Sequence, residues 1–336
     1  MRAMRPWTVI RSHCLPKCYL KNTYFVGLQM NTGLLPEDNG DASSAVSDKD
    51  LRSHAFGPIK IAPESDVLII KPSNLIGRLG IPQVWEYKHL LKYFVLRSIR
   101  GRYRATSLGY GWILFRPILL CLVYVLIFGY LVGIETGATP YPLFVFVGIS
   151  LYLFFSGIVS DTAASLTNNA SIMSKVYYPR LIAPLTSLFV NFTDVAASFV
   201  VIGALMVFYQ VLPGSNVIFF PLYMLGLAVA SFALGLVLAA HSIKRRDIMM
   251  GLPVILRVMV YAMPCVYPIT MVPESLLNFY YMNPMASLIQ GIRWSLFGDL
   301  PPPAWSVISA VIFIFALMYY GLAAFTRAER TMVDSL

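Results

Sequence analysis

Charged residues are scarce in this sequence: Asp, Glu, Lys and Arg make up only 12% of its 336 residues. A soluble globular domain carries roughly 25% charged residues, so that class of protein is excluded. Intrinsic disorder of the whole chain is excluded as well, because 57% of the residues are hydrophobic and 14% are aromatic. This composition favours a protein that crosses a membrane several times.

Acidic residues are the rarer charge, 16 against 26 basic residues, which gives a formal net charge of +10. Residues 1–104 hold 16 Lys and Arg with 8 Asp and Glu, whereas residues 105–336 hold 10 and 8. No basic stripe falls on a soluble domain, so we expect no binding to nucleic acid. Positive charge that is retained on the cytoplasmic side of a membrane accounts for the excess.

The sequence also lacks the motifs of common catalytic sites. It contains no G-x-x-x-x-G-K-[ST] phosphate-binding loop, no H-E-x-x-H and no G-x-S-x-G. Its four histidines do not cluster, and its four cysteines show no second pair at metal-binding spacing. We therefore expect no catalytic residue, no metal site and no cofactor bound by this chain.

Residues 1–80 have the composition of a flexible cytoplasmic extension. The stretch 36–54 is polar and rich in Asp and Ser, and the first residues lack the apolar run of a signal peptide. Because an ordinary polar N-terminal sequence begins at Met30, we interpret residues 1–29 as an upstream extension. N-terminal mass spectrometry of the native protein tests this interpretation.

An amphipathic helix is predicted over residues 82–104, within a segment that runs from 81 to 105. One face is apolar and consists of Val84, Tyr87, Leu90, Leu91, Phe94 and Val95. Most of the remaining surface is basic, which makes the helix too charged to span a membrane. A soluble surface helix is the alternative. The apolar segment that follows at once favours a helix at the membrane interface, where basic side chains meet anionic lipid headgroups.

Six apolar segments follow, each close to the ~20 residues that cross about 30 Å of hydrocarbon. They cover residues 112–134, 141–160, 183–210, 217–241, 251–271 and 304–326. A turn at Pro213 and Gly214 separates the third from the fourth. The predicted fold is an all-α integral membrane protein, with a six-span transmembrane domain at 106–327 and a cytoplasmic tail at 328–336.

Basic residues alternate between the loops that join these segments. Lys and Arg precede the first segment and follow the second and the fourth, whereas the loops after the first and third carry none. The positive-inside rule then places both termini in the cytoplasm. The loop 272–303 is external by the same rule. Its apolar pieces are too short to span, which predicts short re-entrant helices that lie against protein.

A few ionisable residues fall within or near the predicted spans, where charge is costly and often functional. Arg116 lies one turn into the first span and is expected to reach the membrane interface. Asp161 is expected near the cytoplasmic end of the second span. Asp194 lies deeper in the third span and Arg257 about two turns into the fifth, so we predict an Asp194–Arg257 ion pair.

Four segments resemble type-2 ABC transporter permeases that export polysaccharide. The segment 97–109, RSIRGRYRATSLG, with Trp112, Arg116 and Pro117, resembles the approach to the first span of that family. The segment 169–180, NASIMSKVYYPR, resembles the loop between the second and third spans. The other matches are Arg246-Asp247-Ile248, and Tyr267-Pro268 with Asn283-Pro284-Met285 and Arg293. Ser98 and Arg100 depart from the usual acidic residue and Lys. Together the matches extend over about residues 65–330, in the order of the predicted spans.

The resemblance implies a homodimer that binds two ABC ATPase subunits, which hold the ATP and Mg²⁺. It implies a lipid-linked polysaccharide, such as an O-antigen, as substrate and the inner membrane as location. It assigns ATPase docking to the loop residues Asn169, Lys175, Tyr177, Tyr178, Pro179 and Arg180. It assigns contact with the carrier pyrophosphate to the gate-helix residues Arg97, Arg100, Arg102 and Arg104. It assigns a sugar channel to Tyr124, Phe128, Tyr152, Phe155 and Tyr261, and an external gate to Tyr267, Pro268, Asn283, Pro284 and Arg293.

Three other functions remain open at the level of sequence. A permease of the same type that moves a lipid or a drug would share most of these features. A membrane-embedded transferase would need converging acids or histidines, and a secondary transporter often has inverted repeats with broken helices. Stable association with an ATP-binding subunit would distinguish an ABC exporter from a transferase or a secondary transporter.

Overall fold

The computed structural model describes residues 85–104, 106–137, 139–169, 172, 178–243, 245 and 247–335. The extension predicted at 1–80 lies outside the described residues. Every regular element in the described ranges is a helix.

The helices follow one another with short connections. A first helix, α1 (Lys88–Tyr103), precedes a 3₁₀ turn (Gly109–Gly111) and α2 (Trp112–Tyr124), which continues as a π-helical turn (Val125–Leu131). Next come α3 (Tyr141–Ala163), the short α4 (Ser165–Asn168) and α5 (Ile182–Phe208). A 3₁₀ turn (Ser215–Phe219) leads to α6 (Phe220–Ser242), then α7 (Asp247–Ala262) and a further 3₁₀ turn (Ile269–Met271). The chain ends with α8 (Glu274–Tyr281), α9 (Pro284–Phe297) and α10 (Ala304–Ser335).

Among the described residues, five helical segments are long and apolar enough to cross a membrane, so the chain is a multi-pass membrane protein. They are Gly109–Leu131, Tyr141–Ala163, Ile182–Phe208, Ser215–Ser242 and Ala304–Ala328. Their bounds agree closely with five of the six predicted spans. The break between Phe208 and Ser215 confirms the turn predicted at Pro213 and Gly214.

The bounds predicted for the fifth span are wrong. The helix in this region, α7, begins at Asp247 and ends at Ala262, well before Met271. Its 16 residues extend about 24 Å, which is less than the hydrocarbon thickness of a bilayer. The helix ends here because Pro264 follows within one turn: proline lacks the N–H of a helical hydrogen bond and disfavours helical geometry in the residue before it.

Helix α3 lies at the centre of the packing. Its sequence is apolar on all sides, and most of its residues from Leu143 to Ala163 are buried. It packs against α5 and α6 most extensively and also contacts α2, α7 and α9. By contrast, α2 and α10 present wide apolar faces to the outside. An apolar sequence on all sides is typical of a helix that is enclosed by other helices.

Two short helices occupy the loop predicted to be external, α8 and α9. The start of α9 is set by Asn283, whose side-chain oxygen accepts a hydrogen bond from the backbone N–H of Met285, and by Pro284 in the first turn. Its end is set by Gly298, which has a left-handed backbone conformation with φ of 73°. The helix then packs against α6 and α10.

The two ends of the helix bundle differ. The end of α1, the start of α2, the end of α3 and the starts of α5 and α7 lie together at one end, which we call the α1 side. The helices α8 and α9 join the end of α7 to the start of α10 at the opposite end, which we call the far side. The predicted gate helix and the predicted external gate therefore lie at opposite ends.

Candidate functional site

A cavity of about 600 Å³ opens among five helices at the α1 side. Residues from α1, α2, α3, α5 and α7 form its wall. The wall combines polar side chains with aromatic and aliphatic ones, including Trp112, Tyr152 and Leu256. A cavity of this size between helices is a common location for a ligand site.

Three charged side chains meet at the wall of this cavity and form what we call the ion cluster: Arg102, Asp161 and Asp194. The Arg102 guanidinium lies 2.6 Å from an Asp161 carboxylate oxygen and 2.8 Å from one of Asp194. The prediction that Asp194 pairs with Arg257 is therefore wrong. Arg102 lies 92 residues before Asp194 in the chain, and only the fold brings the two side chains together.

Two neutral groups complete the ion cluster. The Tyr103 hydroxyl donates to Asp194 at 2.9 Å, and the Asn191 amide donates to Asp161 at 2.8 Å. Asn191 and Asp194 are three residues apart on α5, so both side chains lie on the face that turns toward α3. Both carboxylates thus have a charged and a neutral donor, which is what a partly buried carboxylate requires.

A glycine makes the approach of α5 to α3 possible. A Cβ atom built on Gly157 would lie 2.1 Å from the Asn191 side-chain oxygen. Gly157 precedes Asp161 by about one turn of α3. The small residue therefore leaves room for the side chain that hydrogen-bonds the carboxylate.

The electrostatics of the cluster keep Arg102 charged. Burial opposes its charge, but the carboxylates of Asp161 and Asp194 outweigh that effect and raise the pKa of Arg102. Burial and the neighbouring Asp194 carboxylate raise the pKa of Tyr103 to about 12. Tyr103 is therefore a neutral hydrogen-bond donor at physiological pH.

We expect a double-mutant cycle to detect the Arg102–Asp194 pair. With R102Q, D194N and the double variant, the coupling free energy should be about 1 kcal/mol, because the two side chains are only 33% and 26% exposed but are not fully buried. Thermal unfolding in detergent measures each variant. The same cycle on D194N and R257Q is the matched control, and coupling there with none at Arg102 would contradict the pair.

The other three arginines predicted to contact pyrophosphate lie elsewhere. Arg97, Arg100 and Arg104 are exposed on the surface of α1 and do not line the cavity. Only Arg102 reaches it, and its guanidinium is engaged by two carboxylates. The predicted pyrophosphate contact of all four residues stays a prediction.

The loop predicted to dock on an ATPase packs against α1. Tyr178 is buried, and its ring lies 5.4 Å from that of Phe94, centroid to centroid. Together with Ile182 at the start of α5, these residues form a small apolar cluster separate from the main core. Asn169 donates to the backbone oxygen of Ser165, while Lys175 and Tyr177 lie outside the described residues. Pro179 and Arg180 are partly buried at the start of α5.

The predicted channel aromatics differ in their surroundings. Tyr124 and Phe128 stack on each other in α2, with centroids 6.0 Å apart, and Tyr152 lines the cavity. Tyr261 is exposed on α7. Phe155 is buried in the core, whereas its neighbour Phe154 contributes to the cavity wall. The helical register, which the sequence pattern left undetermined, decides which of two adjacent aromatics faces the cavity.

On the far side, the predicted external-gate residues bind the end of α7. The Tyr267 hydroxyl donates to the backbone oxygen of Tyr261 at 2.8 Å, and the Asn283 amide donates to that of Ala262 at 3.3 Å. Tyr267 also lies 3.1 Å from the Tyr280 hydroxyl. The last carbonyls of a helix lack partners within the helix, and these side chains supply them.

Arg293 also donates hydrogen bonds to backbone carbonyls, deeper in the protein. Its guanidinium is fully buried and donates to the backbone oxygens of Pro264, Cys265 and Phe144. It also lies 3.5 Å from the centroid of the Phe144 ring. Burial lowers the pKa of Arg293 to about 10, so it is charged at neutral pH. We call residues 263–268 the far-side turn, and Arg293 joins this turn to α3 and α9.

Sequence reasoning missed several residues of these two regions. Tyr103, Asn191, Gly148 and Gly157 were not singled out. The N-x-x-D spacing on a predicted span was a usable signal for Asn191, because polar groups three residues apart share a helix face. The glycines carried no such signal, since their importance depends on which helix packs against them.

Comparison with known proteins agrees with this architecture. Residues 89–297 match the family described as ABC-2 type transporter. The O-antigen export system permease protein RfbA of Myxococcus xanthus is 25% identical over 258 residues, covering 76% of this chain and 98% of that protein. A protein of the same name from Klebsiella pneumoniae is 24% identical over 250 residues, covering 74% and 95%. The polysialic acid transport protein KpsM of Escherichia coli is 20% identical over 245 residues, covering 71% and 93%.

These matches confirm the resemblance drawn from segments 97–109 and 169–180. The family match runs from the first turn of α1 to the end of α9, which is more than half of the chain. The chain therefore belongs to the ABC-2 type transporter family.

Proposed function

We propose that this chain is the membrane permease subunit of an ABC exporter that moves a lipid-linked polysaccharide out of the cytoplasm. The observation that carries the proposal is the match to relatives named for O-antigen export and polysialic acid transport, over nearly their whole lengths. In this proposal two copies of the chain form the permease, and two separate ATPase subunits hydrolyse ATP. The chain itself is not an enzyme.

The proposal places the α1 side in the cytoplasm of an inner membrane. The basic residues of α1 and of the loop before α7 support this orientation by the positive-inside rule. Both termini are then cytoplasmic, and α7 with the far-side turn makes a sixth crossing. The helices α8 and α9 re-enter the outer face, where the backbone of the far-side turn has side-chain partners in place of water.

Helix α1 connects the proposed ATPase-docking loop to the cavity. Its Phe94 packs on Tyr178 of that loop, and Arg102, about two turns later, binds the carboxylates at the cavity wall. A rigid helix that holds both contacts transmits a displacement from one to the other. ATP-driven movement of the loop would thereby change the opening of the cavity to its substrate.

Replacing Phe94 with Ala is expected to weaken coupling between ATP hydrolysis and export. The substitution removes the ring that joins α1 to Tyr178 and leaves a cavity in a small cluster that does not repack easily. We expect export to fall several-fold while ATP hydrolysis by the complex persists. Tyr93→Ala is the matched control, because Tyr93 is an aromatic on the same helix that is 63% exposed. Equal export by both variants would contradict the coupling role of Phe94.

Purification from the native membrane tests the proposed function itself. The tagged chain is extracted in mild detergent, its stoichiometric partners are identified by mass spectrometry, and the complex is assayed for ATP hydrolysis. We expect an equimolar ABC ATPase, and loss of a surface glycan when the chain is depleted. A chain without any ATPase would favour a transferase or a secondary transporter. An ATPase complex with an unchanged surface glycan would favour a lipid or drug exporter.

A further inference from the structure

Two arginines on the cavity wall have no ion-pair partner among the described residues. Arg116 lies in the second turn of α2 and Arg257 in α7, and both line the cavity. Within the described part of the chain, the ion pairs are those of Arg102, and no carboxylate oxygen lies within 4 Å of Arg116 or Arg257. Both residues remain more than a third exposed. They are therefore available to an anion that enters the cavity.

Tyr152 places the two arginines in one part of the cavity. Its side chain is close enough to both guanidinium groups for each to act on it electrostatically. Its hydroxyl donates to the backbone oxygen of Leu256 at 2.6 Å, which fixes the ring against the turn of α7 that carries Arg257. Arg116 and Arg257, on two different helices, therefore both act on the Tyr152 side chain at the cavity wall.

The charge of the cavity favours an anionic ligand. Three guanidinium groups and two carboxylates line it, so the wall has an excess of positive charge. Arg102 binds both carboxylates, so the excess positive charge lies at Arg116 and Arg257. Ser150, which is buried in the same wall, has a hydroxyl without a hydrogen-bond partner among the described residues. An incoming oxyanion would meet two cations and an unused hydroxyl.

We propose that Arg116 and Arg257 bind the phosphoryl group of the carrier lipid from which the exported polymer hangs. This proposal deepens the proposed function and rests on it. A planar guanidinium donates two parallel hydrogen bonds to phosphate oxygens, which makes arginine well suited to this contact. Arg102 then has a different role, because its single positive charge offsets part of the charge of the two acids that would otherwise repel the anion.

The surface beside the cavity fits the lipid tail. Arg116 belongs to α2, whose outer face exposes Phe115, Ile118, Leu119 and Leu122. Few residues of this span are buried by the rest of the chain. A lipid whose headgroup reaches Arg116 would lay its chain along this apolar face within the membrane. A free anion would gain nothing from that face, so the structure favours a lipid as the source of the phosphoryl group.

Binding of farnesyl pyrophosphate tests the proposal. The full-length chain is placed in nanodiscs of phosphatidylcholine, which carries no net charge, and binding is measured by calorimetry without nucleotide. We expect R116Q and R257Q each to raise Kd roughly tenfold or more, the range for loss of a charged hydrogen bond. R116K and R257K, which retain the charge without the planar fork, should bind with intermediate affinity. R245Q removes an exposed arginine from the loop before α7, away from the cavity, and should bind like the native chain.

Two further probes identify what is recognised. Inorganic pyrophosphate supplies the anion alone and farnesol the tail alone, and we expect both to bind more weakly than farnesyl pyrophosphate. Farnesol that binds equally well would overturn the proposal, as would glutamine variants with native affinity and an unchanged melting temperature. Inorganic pyrophosphate that binds as tightly would overturn the assignment to a lipid. The binding assay needs no ATPase. A negative result would therefore reject the lipid-binding site alone, and the purification of the complex would still test the export function.

Discussion

Replacing Arg293 with Met is expected to lower the free energy of unfolding by about 3–5 kcal/mol, because several buried backbone carbonyls lose the donor that they share. Met retains the length and apolar character of the side chain but has no donors. The carbonyl oxygens of Pro264 and Cys265 would then be buried without partners, and that of Phe144 would keep only its bond within α3. Each unsatisfied buried group costs about 1–3 kcal/mol. The expected result is a poorly folded far side and a low yield of protein in the membrane.

Thermal unfolding in detergent and membrane yield measure this effect. Arg293→Lys should recover part of the stability, because an ammonium group replaces some of the donors but not their fork geometry. R245M is the control, since Arg245 is exposed in the loop before α7. An R293M protein with native yield and melting temperature would show that the far-side turn does not depend on the guanidinium.

Replacing Gly148 with Ala is expected to cost about 1–3 kcal/mol, the usual range for overpacking a close contact. A Cβ atom at this position would lie 2.1 Å from the backbone oxygen of Cys265 and 2.6 Å from a guanidinium nitrogen of Arg293. The backbone of the far-side turn would have to move away from α3. That movement would stretch the hydrogen bonds that Arg293 makes to the turn.

Gly203→Ala is the matched control for this substitution. Gly203 also lies in a membrane-spanning helix, α5, but a Cβ atom there meets nothing within 4 Å. We expect G203A to leave stability unchanged or to raise it by up to about 1 kcal/mol, because Ala is the better helix former. G148A and R293M should be strongly non-additive, since both act on the same turn. Equal melting temperatures for G148A and G203A would contradict the close approach.

The membrane-spanning helices were predictable because their signal is local. A run of about 20 apolar residues identifies a span without any knowledge of its neighbours. The end of α7 was missed because Pro264 interrupts an apolar run whose average hydropathy hardly changes. The proline itself predicts that the helix ends before residue 264.

The ion cluster was only half predictable, for a different reason. The cost of charge in a span drew attention to Asp161 and Asp194, as expected. Their partner Arg102 is one of several arginines on α1, and nothing in the sequence separates it from Arg97, Arg100 and Arg104. The face of α1 that packs against α5 decides which arginine reaches the carboxylates, and that choice is made by tertiary packing.

The far-side turn has a consequence for the energised membrane in which an exporter would work. Such a membrane stores energy as a proton gradient, and a wide polymer conduit risks dissipating it between transport cycles. Among the described residues, the carbonyl groups of residues 261, 262, 264, 265 and 266 each accept a hydrogen bond from a side chain: Tyr267, Asn283, Arg293 or Tyr141. Because side chains already supply these carbonyl groups with donors, the groups need no water as a hydrogen-bond partner, and chains of water are the route along which protons would leak. In such an exporter, the far side, opposite the cavity that would admit the substrate, would then be the end that resists leakage.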